Sequence, residues 1–166
     1  GQESSGYGRI EALFAGGHLE TPSGPMDLPT HPASAAGPDL RQLVLGSEGR
    51  LGILTDVVVR TSLVAQTART NAFVMRDWDA ALSLARTLAQ RRLPLSMVRV
   101  ATPLETATTF ALVGEGRGVT ALRRYLGLRG LGADKERCLV LVGLSGRTSI
   151  VEAAAGEVAR AARDLR

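Results

Sequence analysis

The sequence predicts an α+β chain built on antiparallel sheets covered by helices. Three observations lead there. From Thr70 onward, short apolar runs alternate with helical stretches in the order β-α-β-α-α-β-α, which suits a ferredoxin-like antiparallel sheet. Before that point the chain reads as strands and turns, with Gly46, Gly49 and Gly52 crowded between an apolar run and a β-branched run. Apolar residues make up 45% of the 166, which is ordinary for a globular core. No run approaches the roughly 18 apolar residues that a membrane-spanning helix needs.

Residues 1–8, rich in glycine and serine, read as a loop. Arg9 to Thr21 reads as a strand, bent or bulged at Gly16-Gly17. Pro22-Ser23-Gly24-Pro25 is the turn to a short partner strand, Met26 to Leu28. Pro29 to Pro38 is a surface loop. Asp39 is placed to cap a short helix, Leu40 to Leu45, which Gly46 ends. Ile53 to Arg60 is a near-continuous β-branched run, expected to be a strand buried on both faces or nearly so. Ser62 to Thr67 connects this part to the next. The expected domains are therefore residues 1–62 and 63–166.

The second unit follows a cleaner rhythm. Thr70 to Met75 is a strand, and Asp77 is placed to cap a helix from Trp78 to Arg91. Its apolar stripe is read as Trp78, Ala81, Leu82, Ala85, Leu88 and Ala89. Ser96 to Ala101 is a strand, and Pro103, at a first helical position, opens a helix to about Leu112. Gly114, Gly116 and Gly118 form a turn, Val119 to about Leu128 a helix, and Gly130 to Asp134 a loop. Arg137 to Leu144 is a strand. Ser149 with Glu152 reads as a capping box for a final helix, with the stripe Val151, Ala154, Ala155, Val158, Ala162 and Leu165. Trp78, Leu82, Leu88, Val98, Val140, Val142, Val151 and Val158 are expected to form one core.

Charge and composition exclude several classes of function. The net charge is +4, but only Lys135 is a lysine, the arginines are scattered among acids, and aromatic residues are 4% of the chain. A nucleic-acid reader would want a basic face interleaved with aromatics, so no nucleic-acid partner is expected. Arg123, Arg124 and Arg129 read as a solvated helix face. Cys138 is the single cysteine, so no internal disulfide forms; inside Cys138-Leu139-Val140-Leu141-Val142 it reads as a core residue with no activating base. His18 and His31 are too isolated for a metal site, and none is expected. The N-terminus has no basic-then-apolar leader, and a reducing, cytoplasmic setting is the default expectation. The chain starts in mid-motif without Met, which reads as a fragment of a longer protein.

The most informative stretch is Gly37-Pro38-Asp39-Leu40-Arg41-Gln42-Leu43-Val44-Leu45-Gly46-Ser47-Glu48-Gly49-Arg50-Leu51-Gly52-Ile53-Leu54-Thr55. A glycine-rich turn before a strand lets the backbone come close to something flat or phosphorylated, and it is also the make-up of a plain turn. This string resembles the GxDLxxLxxGSEGTLGIIT segment of FAD-linked oxidases of the vanillyl-alcohol oxidase and p-cresol methylhydroxylase type. Upstream, Ser4-Ser5-Gly6-Tyr7-Gly8-Arg9-Ile10-Glu11 resembles their SSGYGRIEDLV segment. Downstream, Phe73 to Ala81 resembles the xFPxFExA that opens their cap domain, and Leu93 to Val100 resembles xAPSxxRLxD. The variants look most like the alkyldihydroxyacetone-phosphate synthase branch. The match is specific over about residues 1–110.

The resemblance implies the C-terminal part of a p-cresol-methylhydroxylase-type (PCMH-type) FAD-binding domain over residues 1–62. It implies the first half of a ferredoxin-like cap over 63–166. It further implies FAD contacts, largely through main-chain atoms, at Ser4, Ser5, Gly8, Ile10, Glu48, Gly49, Leu51, Gly52 and Ile53. Read from the residues alone, Glu48 instead holds its own turn by accepting backbone N–H bonds. Arg50 replaces the family's usual Thr. The family's pyrophosphate loop would precede residue 1 and its catalytic Tyr, His and Arg would follow Arg166. No catalytic residue is therefore assigned, and the 166 residues alone are expected to be inactive and without FAD. The intact protein would act on a small-molecule substrate; a homodimer is left open. Two alternatives stand beside this reading: an FAD-linked dehydrogenase or oxidase of a 2-hydroxy acid such as D-lactate or glycolate, and a non-enzymatic ferredoxin-like interaction module.

Overall fold

The structure is a computed structural model and describes residues 3–32, 36–112, 124, 127 and 136–165. By its internal contacts the chain divides into two compact units: Tyr7–Leu63, and Val64 onward together with residues 3–6. Residues 3–6 carry most of a one-turn helix, α1 (Ser4–Tyr7), where the sequence reads as a loop.

The first unit holds α2 (Ile10–Leu13), β1 (Phe14–Thr21), β2 (Gly24–Leu28), α3 (Leu40–Val44) and β3 (Ile53–Val59). The three strands form one antiparallel sheet in the order β2-β1-β3. The expected strand from Arg9 thus begins later, after a single helical turn. The hairpin pairs Thr21 with Gly24 and Gly17 with Leu28, while the other edge of β1 pairs Glu20 with Ile53 and Phe14 with Val59. The β1–β3 ladder shifts register between Phe14 and Gly16, as Gly16-Gly17 led us to expect, and again between His18 and Leu19. Phe14, Leu19, Leu28 and Val44 form the core of this unit, with Met26 and Leu45 packed at its margin.

The structure corrects the reading of β3. All seven of its residues are exposed, and Ile53 retains 72% of its surface. A β-branched run reports the preference of the backbone for a pleated strand, not what covers it. As the edge of a three-stranded sheet, β3 has only β1 beside it.

The second unit holds β4 (Thr67–Met75), α4 (Trp78–Gln90), β5 (Leu95–Val100), α5 (Pro103–Leu112), β6 (Cys138–Gly146) and α6 (Thr148–Asp164). Its sheet order is β4-β6-β5, with β6 antiparallel to both neighbours. This is a βαβ pair split by an inserted antiparallel strand, in line with the ferredoxin-like expectation. The expected helix over 119–128, the turn before it and the loop after it lie outside the described residues, apart from Arg124 and Gly127.

Alternation on β6 sends Cys138, Val140, Val142 and Leu144 to one face, where each is fully buried. Ala80, Ala81, Leu84 and Leu88 of α4 close over that face with Val151, Ala154, Ala155, Val158, Ala161 and Ala162 of α6. Burying a Leu or Val completely stabilises by about 1.5–3 kcal/mol, so this cluster is the main support of the unit. The α6 stripe falls where the sequence places it. The α4 stripe does so only in part: Ala81 and Leu88 are fully buried, but Trp78 and Leu82 stay about two-fifths exposed and Ala89 is exposed; of the expected core, Val98 on β5 is only half-buried. Leu82 and Leu84 are both leucines, so helical spacing admits two frames. The one that seats Leu84 and Leu88 also puts small Ala80 and Ala81 against the sheet.

Caps explain the helix ends. The Asp77 side chain accepts from the Ala80 amide at 2.7 Å, opening α4 as expected. The capping box read at Ser149 and Glu152 is absent: α6 starts at Thr148 after Arg147, which makes no side-chain cap bond. A reciprocal box instead opens α5, where the Thr102 amide donates to Glu105 Oε2 at 2.8 Å and the Glu105 amide donates to Thr102 Oγ1 at 3.3 Å. These bonds from Thr102 hold the Glu105 carboxyl below its ordinary pKa.

The α4 frame is testable. Leu84→Ala and Leu88→Ala should each destabilise the chain by about 2–5 kcal/mol in urea unfolding. Leu82→Ala should stay within about half a kcal/mol, as a surface substitution does. A Leu82→Ala loss as large as the other two would restore the sequence-based frame.

Candidate functional site

The glycine-rich stretch folds as a chain of local constraints. Helix α3 closes when the Leu45 amide donates to the Arg41 carbonyl, and Gly46 follows at φ +80°. The Arg50 amide then donates to the Ser47 carbonyl at 3.0 Å, with Glu48 at φ +51° and Gly49 at φ +79°. Positive φ at both central residues makes this a type I′ turn. A glutamate there costs about 1–2 kcal/mol that glycine would not. Among the described residues the Glu48 carboxylate accepts no hydrogen bond, so the turn is held by its backbone and not by that side chain.

Two of the glycines have different tasks. A Cβ on Gly49 would meet nothing within 4 Å, so glycine there serves the backbone conformation and leaves the front of the turn open. A Cβ on Gly52 would lie 2.2 Å from the Glu20 carbonyl oxygen and 3.2 Å from Leu19 Cγ. Gly52 therefore lets the turn re-enter the sheet against β1, a requirement of the fold that needs no ligand to explain it.

The residues named from the sequence do not all come together. Glu48, Gly49, Gly52 and Ile53 line one shallow concavity with Leu19, Val44, Leu45 and Ser47. Leu51 and Arg50 line an adjoining one with Leu43 and Glu48. The amides of Glu48, Gly49 and Leu51 have no hydrogen-bond partner among the described residues. Gly8, at φ +82°, and Ile10, 58% exposed, belong to the same unit but line neither hollow. Ser4 and Ser5 group with the second unit. A Cβ on the neighbouring Gly6 would lie 2.9 Å from the Leu95 carbonyl oxygen, so this segment packs closely on the start of β5.

Sequence reasoning missed the group that anchors the stretch. Arg41 is 9% exposed. Its Nε and Nη2 donate to the two Asp39 oxygens, both at 2.9 Å, in a fork-to-carboxylate arrangement. Its Nη1 donates to the Ala15 carbonyl of β1 at 3.1 Å and to the His31 carbonyl at 2.7 Å. Asp39 Oδ1 also accepts from the Arg41 amide at 3.0 Å, capping α3. The Asp-x-Arg spacing at the helix start was a signal for this, but an arginine beside a cap is usually solvated.

The remaining ionisable candidates are structural. The Cys138 thiol is buried on β6, and burial raises its pKa, which makes it a poor nucleophile. Among the described residues no group of His, Cys, Asp and Glu is arranged to hold a metal ion.

Gly52→Ala should cost about 1–3 kcal/mol in urea unfolding, because a backbone oxygen occupies the space. Gly49→Ala should cost about 1–2 kcal/mol, from its positive φ alone. The acid limb offers a second check. Hydrogen bonds from Arg41 hold the Asp39 carboxyl below its ordinary pKa. The stability it contributes is present above that ordinary value and lost as pH falls through the lowered one. Asp39→Asn should flatten the acid limb of a profile of thermal midpoint against pH; an unchanged limb would show that the pair contributes nothing.

No family model matches the sequence. Curated proteins do. Over 157 residues the chain is 29% identical to the alkyldihydroxyacetonephosphate synthase of Dictyostelium discoideum, covering 92% of this chain and 26% of that protein. It is 30% identical over 99 residues to that of Caenorhabditis elegans, covering 58% of this chain and 17% of the relative. It is 25% identical over 111 residues to that of Trypanosoma brucei brucei, covering 67% and 18%. The chain thus spans about a quarter or less of the length of these relatives. Two solved structures of alkyldihydroxyacetonephosphate synthase match 99% of this chain and 30% of their own, with TM-scores of 0.81 and 0.82 at 27% and 26% identity. In sequence and in backbone course, this chain resembles a segment of the alkyldihydroxyacetonephosphate synthases, the branch to which its motifs point.

Proposed function

We propose that this chain is a segment of an FAD-dependent enzyme of the FAD-linked oxidase family, of the alkyldihydroxyacetonephosphate synthase kind. The observation that carries the reading is the match to those synthases along nearly the whole chain, in sequence and in fold together. On this reading Tyr7–Leu63 belongs to the FAD-binding domain and Val64 onward to the cap. The enzyme would exchange the acyl group of a glycerone-phosphate ester for an alkoxy group from a fatty alcohol.

The turn fits a flavin in three respects. Its glycine front is open, its amides at Glu48, Gly49 and Leu51 are unspent among the described residues, and Leu51 and Ile53 present exposed apolar surface beside them. Main-chain donors with apolar flanks are what a flat, polar-edged ring system takes. Glu48, Gly49, Leu51, Gly52 and Ile53 would hold the cofactor, and bound FAD would supply the redox-active ring. Gly8 and Ile10, in the same unit, would lie near it.

The test is flavin content. The intact polypeptide carrying this sequence should purify yellow, with the absorbance bands of an oxidised flavin, and residues 1–166 alone should not. Within the intact protein Gly52→Val should strip flavin far more than Arg50→Ala, since the first displaces the backbone and the second only a side chain. Equal occupancy in the two variants would sink the main-chain contact reading. A colourless intact protein would sink the flavoenzyme reading itself.

A further inference from the structure

The outer side of the first sheet carries a cluster that the reading above does not use. His18 lies on the middle strand, paired in register with Asp27 on β2 and with Asp56 on β3. Its Nδ1 is 2.6 Å from Asp27 Oδ1, and its Nε2 is 3.3 Å from Glu20 Oε1. Both ring nitrogens therefore face carboxylate oxygens.

That geometry selects a protonation state. A carboxylate oxygen accepts hydrogen bonds and donates none. A neutral imidazole has one N–H and one lone pair, so it would satisfy one carboxylate and turn its lone pair on the other. Only the imidazolium donates to both. We propose that His18 is doubly protonated at neutral pH and acts as a proton-dependent brace that ties Asp27 of β2 and Glu20 of β1 to one ring, complete while it carries both protons and weakened to a single uncharged hydrogen bond when it loses one.

The surrounding charges support this. Glu20 on β1, Asp27 on β2 and Asp56 on β3 are all acidic. Among the described residues Glu20 and Asp27 have no other ion-pair partner, and Asp56 has none. The His18 side chain is 31% exposed, so it is neither deeply desolvated nor fully free to solvate. The hydrogen bond to Asp27 raises the His18 pKa most, against the smaller opposing effect of burial, and Glu20 adds to the rise. The sign follows: the brace contributes fully below the ordinary imidazole value of 6.5 and is lost as pH rises through the raised one.

Glu20 also adjoins the glycine-rich turn, by its backbone. Its carbonyl oxygen is the atom against which Gly52 is seated, and it pairs in register with Ile53. Deprotonating His18 frees the Glu20 side chain where β3 begins. This inference stands whether or not the turn contacts a cofactor.

The experiment uses the whole chain, labelled with ¹⁵N-histidine. At neutral pH His18 should show the nitrogen shifts of an imidazolium and should titrate above an ordinary imidazole. Asp27→Asn should lower its midpoint by about one unit, the size expected for losing an adjacent opposite charge. Glu20→Gln should lower it less. A neutral, single-tautomer ring at neutral pH would overturn the proposal, as would an unchanged midpoint in Asp27→Asn. Amide exchange at Met26–Leu28 gives a second reading. Protection in the wild type relative to His18→Gln should fall toward unity as pH rises through the midpoint, and a ratio flat with pH would refute the brace. Should His18→Gln fail to fold, the titrations of the wild type and Asp27→Asn decide alone.

Discussion

The guanidinium of Arg41 joins three stretches of the first unit that share no ladder. It reaches β1 at Ala15, the loop before α3 at His31, and the cap of α3 at Asp39. All four of its hydrogen bonds end on oxygen, so a buried cation is matched by a carboxylate and two carbonyls. The small core of Phe14, Leu19, Leu28 and Val44 takes only one residue, Val44, from α3. The arginine fixes it, because one planar group aims its donors in set directions. Helix α3 then determines where Gly46 stands, and Gly46 leads into the type I′ turn centred on Glu48 and Gly49. The turn is in this sense an extension of the Arg41 contact to β1.

The second unit is organised differently. There one buried strand, β6, does what Arg41 does in the first. Its inward residues meet α4 and α6, and its backbone is bound on both edges. Where the ladder with β5 gives out, side chains take over: Thr106, 1% exposed, accepts from the Leu139 amide at 2.9 Å. Gly143 keeps its place for a related reason, since a Cβ there would lie 2.6 Å from Ser96 Oγ. A hydrophobic layer of this size tolerates neither voids nor extra atoms. This unit therefore depends on packing, and the first on directed polar contacts.

That difference decides what could be read in advance. In the second unit the order of strands and helices among the described residues, the Asp77 cap and the α6 stripe were legible, because period and capping chemistry are local. The α4 frame was not, since Leu82 and Leu84 satisfy the same spacing and only the sheet beneath chooses between them. The capping box was assigned to the wrong helix: Thr-Pro-Leu-Glu at residues 102–105 carries the same signal as Ser149 to Glu152, with a proline at the first helical position besides. In the first unit the turn was legible from its glycines, but its support was not. Asp39, Arg41, Ala15 and His31 lie up to 26 residues apart, and no local pattern announces a contact to main-chain oxygens. The burial of β3 was misread for a similar reason, because covering a strand is a property of its neighbours.

A turn held by its backbone has consequences for how sequence can vary around it. The turn at Glu48 and Gly49 is held by one main-chain hydrogen bond and by positive φ, and the side chain of Glu48 takes no part in holding it. Arg50, which stands where the resembled family has a small residue, is exposed. It can differ without moving an amide. Gly52 cannot differ in the same way, because its neighbour is the carbonyl of Glu20. The glycines of such a motif are thus constrained from two sides at once. On one side the turn needs positive φ at Gly49. On the other, the strand it enters must lie flush against β1. The second constraint acts in the folded chain alone, through the Glu20 carbonyl that a Cβ on Gly52 would strike.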